Sequence, residues 1–176
     1  MAAVGQEAPH VNRVITGVPD DLDRQTLLVA RYDLADMEEV MPPKRREYLL
    51  SVNKAAKIGN TTINDIFKAQ YPFEYKLVGL QQVQVYKAEG YRYFMDLVWM
   101  PKQMKEPKKE AMKPAYERFE SANRMFSNRN AQFHYYFYIR DLETGDAYIT
   151  SRFQGNADAY NGMKKFVAQI RKDKAL

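Results

Sequence analysis

Residues 133–140 alternate strictly, with Phe133, Tyr135, Phe137 and Ile139 on one side and His134, Tyr136, Tyr138 and Arg140 on the other. That period of two is the pattern of a half-buried strand. Residues 141–146 supply a turn in which Gly145 is placed to take a positive φ and close a hairpin loop. Ala147, Ile149 and Phe153, alternating with Tyr148, Thr150 and Arg152, bring a second strand back. After a break at Gly155-Asn156, the residues Ala159, Tyr160, Met163, Phe166, Val167 and Ile170 recur at helical spacing. The rest of the chain is expected to pack around this strand–turn–strand–helix unit.

Upstream, residues 11–18 read as an edge strand. The apolar run Leu27-Leu28-Val29-Ala30 reads as a strand covered on both faces. Pro42-Pro43 opens a helix whose buried stripe is Tyr48, Leu49, Val52, Ala55 and Ala56, with Gly59-Asn60 expected to end it. Thr61 or Thr62 then caps a shorter helix carrying Ile63, Ile66 and Phe67, stopped before Pro72. Residues 75–78 and 82–87 read as strand, and residues 91–100 as a strand returning in a second hairpin. Pro114 starts a helix carrying Tyr116, Phe119 and Phe126.

This order of elements predicts an α+β fold: an antiparallel-dominated sheet with amphipathic helices packed on one face, in two layers. It is similar to the order in small exported α+β domains of bacterial envelope proteins, a likeness of element order with no residue motif behind it. Residues 1–24 are expected to form a partly flexible arm. Residues 25–176 form one domain, with a mobile, basic excursion at 102–130.

Among the 176 residues, 45% are hydrophobic, enough for one substantial core. There is no cysteine, which removes disulfides, thiolate catalysis and cysteine metal sites together. No uncharged stretch exceeds ten residues, so no transmembrane segment is expected. The net charge of +5 divides unevenly: residues 1–41 carry −5 and the remainder +10. Such asymmetry suits an anionic partner, or an acidic segment folded back on a basic one. The small-residue stub Ala3-Val4-Gly5 leans towards an exported, periplasmic protein, with a cytoplasmic one left open.

Chemistry is sparse. None of the four serines lies in a Gly-x-Ser-x-Gly elbow, and no glycine-rich phosphate loop is present. The two histidines, His10 and His134, have no evident catalytic partner. The acidic cluster at 33–39 lacks a calcium-loop pattern and reads as solvated loop. Glu117 and Glu120 are a carboxylate pair that an exposed helical face explains more simply. No catalytic residue, cofactor or metal is therefore assigned.

The distinctive feature is a polar-aromatic face. If the last hairpin pairs symmetrically, Tyr136, Tyr138, Arg140, Tyr148 and Arg152 share one outward side, and tyrosine with arginine is the chemistry of binding hot spots. The expected function is a non-enzymatic protein-interaction module, a component or accessory of a larger assembly, with a protein partner or a second copy on that face. The excursion, with Met104, Met112 and Met125 among lysines, offers a second contact surface. The alternative is a single-stranded nucleic-acid binder stacking bases on the same tyrosines; a scattered enzyme site comes third.

Overall fold

The computed structural model describes residues 11–101, 112 and 133–176. The expected helix at 114–126, the Glu117/Glu120 pair, His10, Met104, Met125 and the stub at residues 3–5 lie outside them.

The apolar run is a strand, β2 (Leu27–Arg31), with its first four residues buried. It is an interior strand, paired on both edges, and both sheet faces are covered there. Its chain continues into a 28-residue helix, α1 (Pro43–Gln70), and then β3 (Tyr75–Gly79). A strand, a long helix and a second strand of the same sheet form a crossover, so β2 and β3 pair in parallel, Leu27 against Tyr75.

Two 3₁₀ turns, Leu22–Arg24 and Leu80–Gln82, flank this unit. The second runs into α2 (Val83–Ala88), where a strand is expected from the sequence. Leu80, Val83 and Tyr86 are spaced for a helical face, and Leu80 and Val83 are buried against Leu28, Val78 and Phe94. The same residues satisfy periods of two and three; packing selected the helix. The second hairpin is therefore absent.

Instead β4 (Tyr93–Pro101) runs parallel to β2 and antiparallel to β5 (Phe133–Asp141) over nine register pairs, from Tyr93–Asp141 to Pro101–Phe133. β6 (Ala147–Ile149) pairs with β5 at only two positions, Ile139–Tyr148 and Arg140–Ala147. β1 (Val14–Thr16) closes that edge in parallel with β6. Among the described residues the mixed sheet has six strands in the order β1-β6-β5-β4-β2-β3, and with three helices the fold is α+β.

α1 and the last helix, α3 (Ala159–Asp173), pack on one sheet face. Ile63, Ile66, Phe67, Met163, Phe166 and Val167 meet Leu27, Val29, Met95 and Phe137 there. Asp158 caps α3, accepting from the Asn161 N–H at 2.7 Å. The opposite face holds two smaller apolar groups, one around Leu28 and Phe94, the other around Val98, Tyr136 and Tyr138.

Gly59-Asn60 does not end a helix. α1 runs through it, and Thr61 and Thr62 back-bond to the carbonyls of Lys57 and Ile58 instead of capping a second helix. Glycine is needed there for space: a Cβ would overlap the Tyr32 ring and lie 2.9 Å from the Tyr160 hydroxyl. Gly145 does take a positive φ of 74°, in the β5–β6 turn.

Candidate functional site

The five residues expected on one outward face are divided among three places. Tyr136, Tyr138 and Arg140 are 3%, 0% and 2% exposed. They point away from α1 and α3 but lie inside the protein, grouped with Val11, Val98 and Met112. Tyr148 stands opposite Ile139, so it faces the α1/α3 side, half-buried, with its ring edge-on to Tyr93 at 6.4 Å. Arg152 lies beyond β6 and is exposed. The expected exposure of the face is thus overturned for its three β5 residues. A shift of one residue in the β5–β6 register moved Tyr148 to the other side of the sheet, because side chains alternate with period two.

What the β5 residues build is a buried polar triad. Arg140 Nε donates to Asp96 Oδ2 at 2.8 Å, and Arg140 Nη2 donates to the Tyr138 hydroxyl at 2.7 Å. The Tyr138 hydroxyl donates in turn to Asp96 Oδ2 at 3.0 Å. Arg140 Nη2 also reaches the Met112 carbonyl at 2.9 Å, and Met112 is itself fully buried. Burial, and then the Asp96 carboxylate, push the Tyr138 phenol well above its usual range, so it stays protonated and donates. Asp96 Oδ1 accepts the Leu97 N–H at 2.8 Å. The triad joins β4 to β5 and pins the chain at Met112, a structural role that accounts for each of these groups.

A second polar group sits where β4 begins and β5 ends. Arg92 Nη2 lies 2.9 Å from Asp141 Oδ2, and Tyr93 donates to Asp21 Oδ1 at 2.6 Å. Its hydrogen bond to Asp141 holds the Arg92 guanidinium charged well above its ordinary range. The other Asp141 oxygen accepts from the Glu143 and Thr144 N–H groups, which shapes the turn. Sequence reasoning missed both groups, since their members come from different strands.

An open depression of about 360 Å³ is lined by Thr16, Gly17, Val18, Asp20, Ser151, Asp173 and Lys174. Here Ser151 donates its hydroxyl to Asp173 and accepts from Gln169 Nε2 at 3.0 Å. The set ties the end of α3 to the chain leaving β6. Among the described residues no imidazole is bonded to Ser151; its partners here are a carboxylate and an amide. Among the described residues no group of three His, Asp or Glu side chains is placed to hold a metal ion.

The exposed apolar surface is elsewhere. The stripe of α1 is buried at Ala56, Gly59, Ile63, Ile66 and Phe67 and runs on at the same spacing to Val52 and Tyr48. The expected burial stops short: Tyr48 is 66% exposed, Ala55 is exposed, and Leu49 and Val52 are only half-buried. The reason is length. Twenty-eight residues span about 42 Å of helix, whereas a five-residue strand such as β2 or β3 spans about 17 Å. The first three turns of α1 therefore project past the core.

Along one flank of this projection runs an extended strap, residues 32–40. Asn60 exchanges two hydrogen bonds with the Tyr32 backbone, at 2.7 and 2.9 Å. Asn53, two turns earlier on the same helix line, does the same for Ala35, again at 2.7 and 2.9 Å. Arg45 pairs with Glu38 at 3.3 Å and Arg46 donates to the Glu39 carbonyl at 3.1 Å. The acidic cluster expected to be a solvated loop is this strap. Among the described residues, five of the eight exposed large apolar side chains belong to the strap and the projection: Leu34, Met37, Val40, Tyr48 and Leu50.

Comparison with protein-family models, with characterised proteins and with solved structures finds no match to this chain, so its own geometry carries the functional reading.

Proposed function

We propose that this protein is a non-enzymatic interaction module, a component or accessory of a larger assembly, that docks a protein partner through the strap and the projecting half of α1. One observation carries the reading: Leu34, Met37 and Val40 of the strap are 49%, 41% and 88% exposed, and Leu50, on the helix line next to the one that holds the strap, is 56% exposed. Exposed apolar side chains gathered in one place, rather than scattered singly, mark contact surfaces. The partner surface that fits is apolar, with charged groups of both signs at its rim.

The sheet tyrosines no longer support docking, because Tyr136 and Tyr138 are buried. Single-stranded nucleic acid remains the second reading, on a different feature: Lys54, Lys57, Lys68, Lys164, Lys165, Arg171 and Lys172 are exposed on α1 and α3. Without stacking rings, such binding would rest on phosphate contacts and fall steeply with salt.

The test is site-specific photo-crosslinking in the native cell. A crosslinking side chain at Val40 or Leu50 should join a protein, and one at Glu89, on the turn after α2, should not. Absence of a protein adduct at both docking positions overturns the reading, and adducts with nucleic acid at Lys164 or Lys172 favour the second one.

A further inference from the structure

Resting on that docking reading, we propose that the partner is a second copy of this chain, related by a two-fold axis that lays the strap of each copy against α1 of the other. The argument starts from charge. Residues 32–42 contain Asp33, Asp36, Glu38 and Glu39 and no cation. The helix turns beside them carry Lys44, Arg45, Arg46, Lys54 and Lys57 against Glu47. The carboxylates of the strap thus stand next to the helix line of Lys54 and Lys57, an acidic ridge beside a basic one.

Within one copy the two ridges are scarcely used against each other. Glu38–Arg45 is the single ion pair between them among the described residues; Asp33, Asp36, Glu39, Lys44, Lys54 and Lys57 form none there. A two-fold axis turns such a bipolar surface into its own complement, the acidic ridge of each copy meeting the basic ridge of the other. A wholly acidic or wholly basic partner would leave one ridge facing like charge.

Apolar side chains supply the contact between the ridges. Leu34, Met37 and Val40 recur every third residue along the strap. Leu50, Lys54 and Lys57 form one line of α1, next to the line of Arg46, Asn53 and Asn60 that holds the strap. Pro42, at φ −57° and ψ 140°, makes a stiff corner between strap and helix. The two ridges are therefore held in place before association, which lowers its entropic cost. The projection is only about 16 Å long. A contact of that length is expected to fall below the roughly 800 Å² per partner of a standard interface, in the size class of weak association, and a micromolar dimer is the expected outcome.

The experiment is sedimentation equilibrium on the purified full chain, from about 1 µM to about 1 mM, with two charge-reversed variants. One reverses the strap (Asp36→Lys with Glu39→Lys); the other reverses the helix (Lys54→Glu with Lys57→Glu). All four positions are exposed, so both variants should fold, checked by circular dichroism. The wild type should approach about 41 kDa, twice the 20.6 kDa chain. Each variant alone should associate at least tenfold more weakly, and their equimolar mixture should recover the dimer, since acidic then meets basic at both contacts. A wild type that stays monomeric throughout overturns the second-copy inference. So does a dimer indifferent to either reversal, which would be held by another surface. In both cases the docking reading stands if Val40 or Leu50 still crosslinks a different protein, and falls with it if neither does.

Discussion

Arg140 Nε and Asp96 Oδ2 meet at 2.8 Å with Arg140 2% and Asp96 1% exposed, a charged pair enclosed between strands β4 and β5. Removing one partner takes the opposite charge away from a buried charged group. Asp96→Ala or Arg140→Ala should each cost about 3–5 kcal/mol of stability, and Tyr138→Phe about 1–3 kcal/mol. Replacing the pair together by Leu and Met should recover part of the single-variant loss. Urea unfolding measures all four. A double variant as unstable as the sum of the singles would mean that the two charges do not act as a pair.

Gly59 predicts a reversal of helix propensity. In mid-helix, Gly→Ala ordinarily stabilises by about 1 kcal/mol. Here the new methyl overlaps the Tyr32 ring, and overpacking of this kind costs about 1–3 kcal/mol. Gly59→Ala should therefore destabilise the wild type, and do so less in a Tyr32→Ala background, where only the contact with the Tyr160 hydroxyl remains. Equal effects in both backgrounds, read from thermal midpoints, would contradict the contact.

The two asparagine clamps predict a local opening. Asn53→Ala should expose the Ala35 amide and Asn60→Ala the Tyr32 amide to faster hydrogen exchange, each variant losing about 1–2 kcal/mol. Exchange in β2 should change little. Uniformly raised exchange across the sheet would show that the strap is not a separate unit.

Tyr71 predicts a gain. Its hydroxyl is buried beside Phe67 and Phe73 and has no hydrogen-bond partner among the described residues. Burial raises its pKa, so it stays a neutral, unsatisfied phenol. Tyr71→Phe keeps the ring and removes the uncompensated group, and should stabilise the protein by about 1 kcal/mol in urea unfolding. A loss instead would reveal a partner for the hydroxyl.

Acid should weaken the β1–β6 edge. Arg13 Nη2 lies 2.6 Å from Asp146 Oδ2, and this hydrogen bond lowers the Asp146 pKa below its ordinary 3.8, against the opposing effect of burial. A carboxylate with a depressed folded pKa adds stability that is present above its unfolded value and lost as pH falls through the folded one. The wild type should exceed Asp146→Asn in stability at pH 7, and the margin should close below about pH 4. A margin that is constant with pH would detach Arg13 from the effect.

The strands that local pattern identified are those whose sequence is uniformly apolar or strictly alternating. Residues 27–30 are a continuous apolar run and lie on an interior strand of the sheet, and the alternation at 133–140 is β5. The 82–87 segment was ambiguous at source, because Leu80, Val83 and Tyr86 suit a helix as well as Val83 and Val85 suit a strand. Gly59-Asn60 misled for another reason. Both residues serve distant partners: glycine makes room for Tyr32, and asparagine bonds its backbone. Read locally, those uses look like a helix stop.

Taken alone, the sequence determined the α+β class, the strand at 27–31, the long strand at 133–141, the glycine turn after it and the terminal helix, because each depends on residues close together in the chain. Only the tertiary structure decided that Tyr136, Tyr138 and Arg140 lie inside and that Tyr148 faces the helices. Whether a polar side of a strand meets water depends on what covers it, and Met112 and Val11 reach it from far along the chain. The exposed half of α1 was equally hidden from local reading, since its stripe is the same along the helix and only the extent of the sheet beneath shows where burial ends.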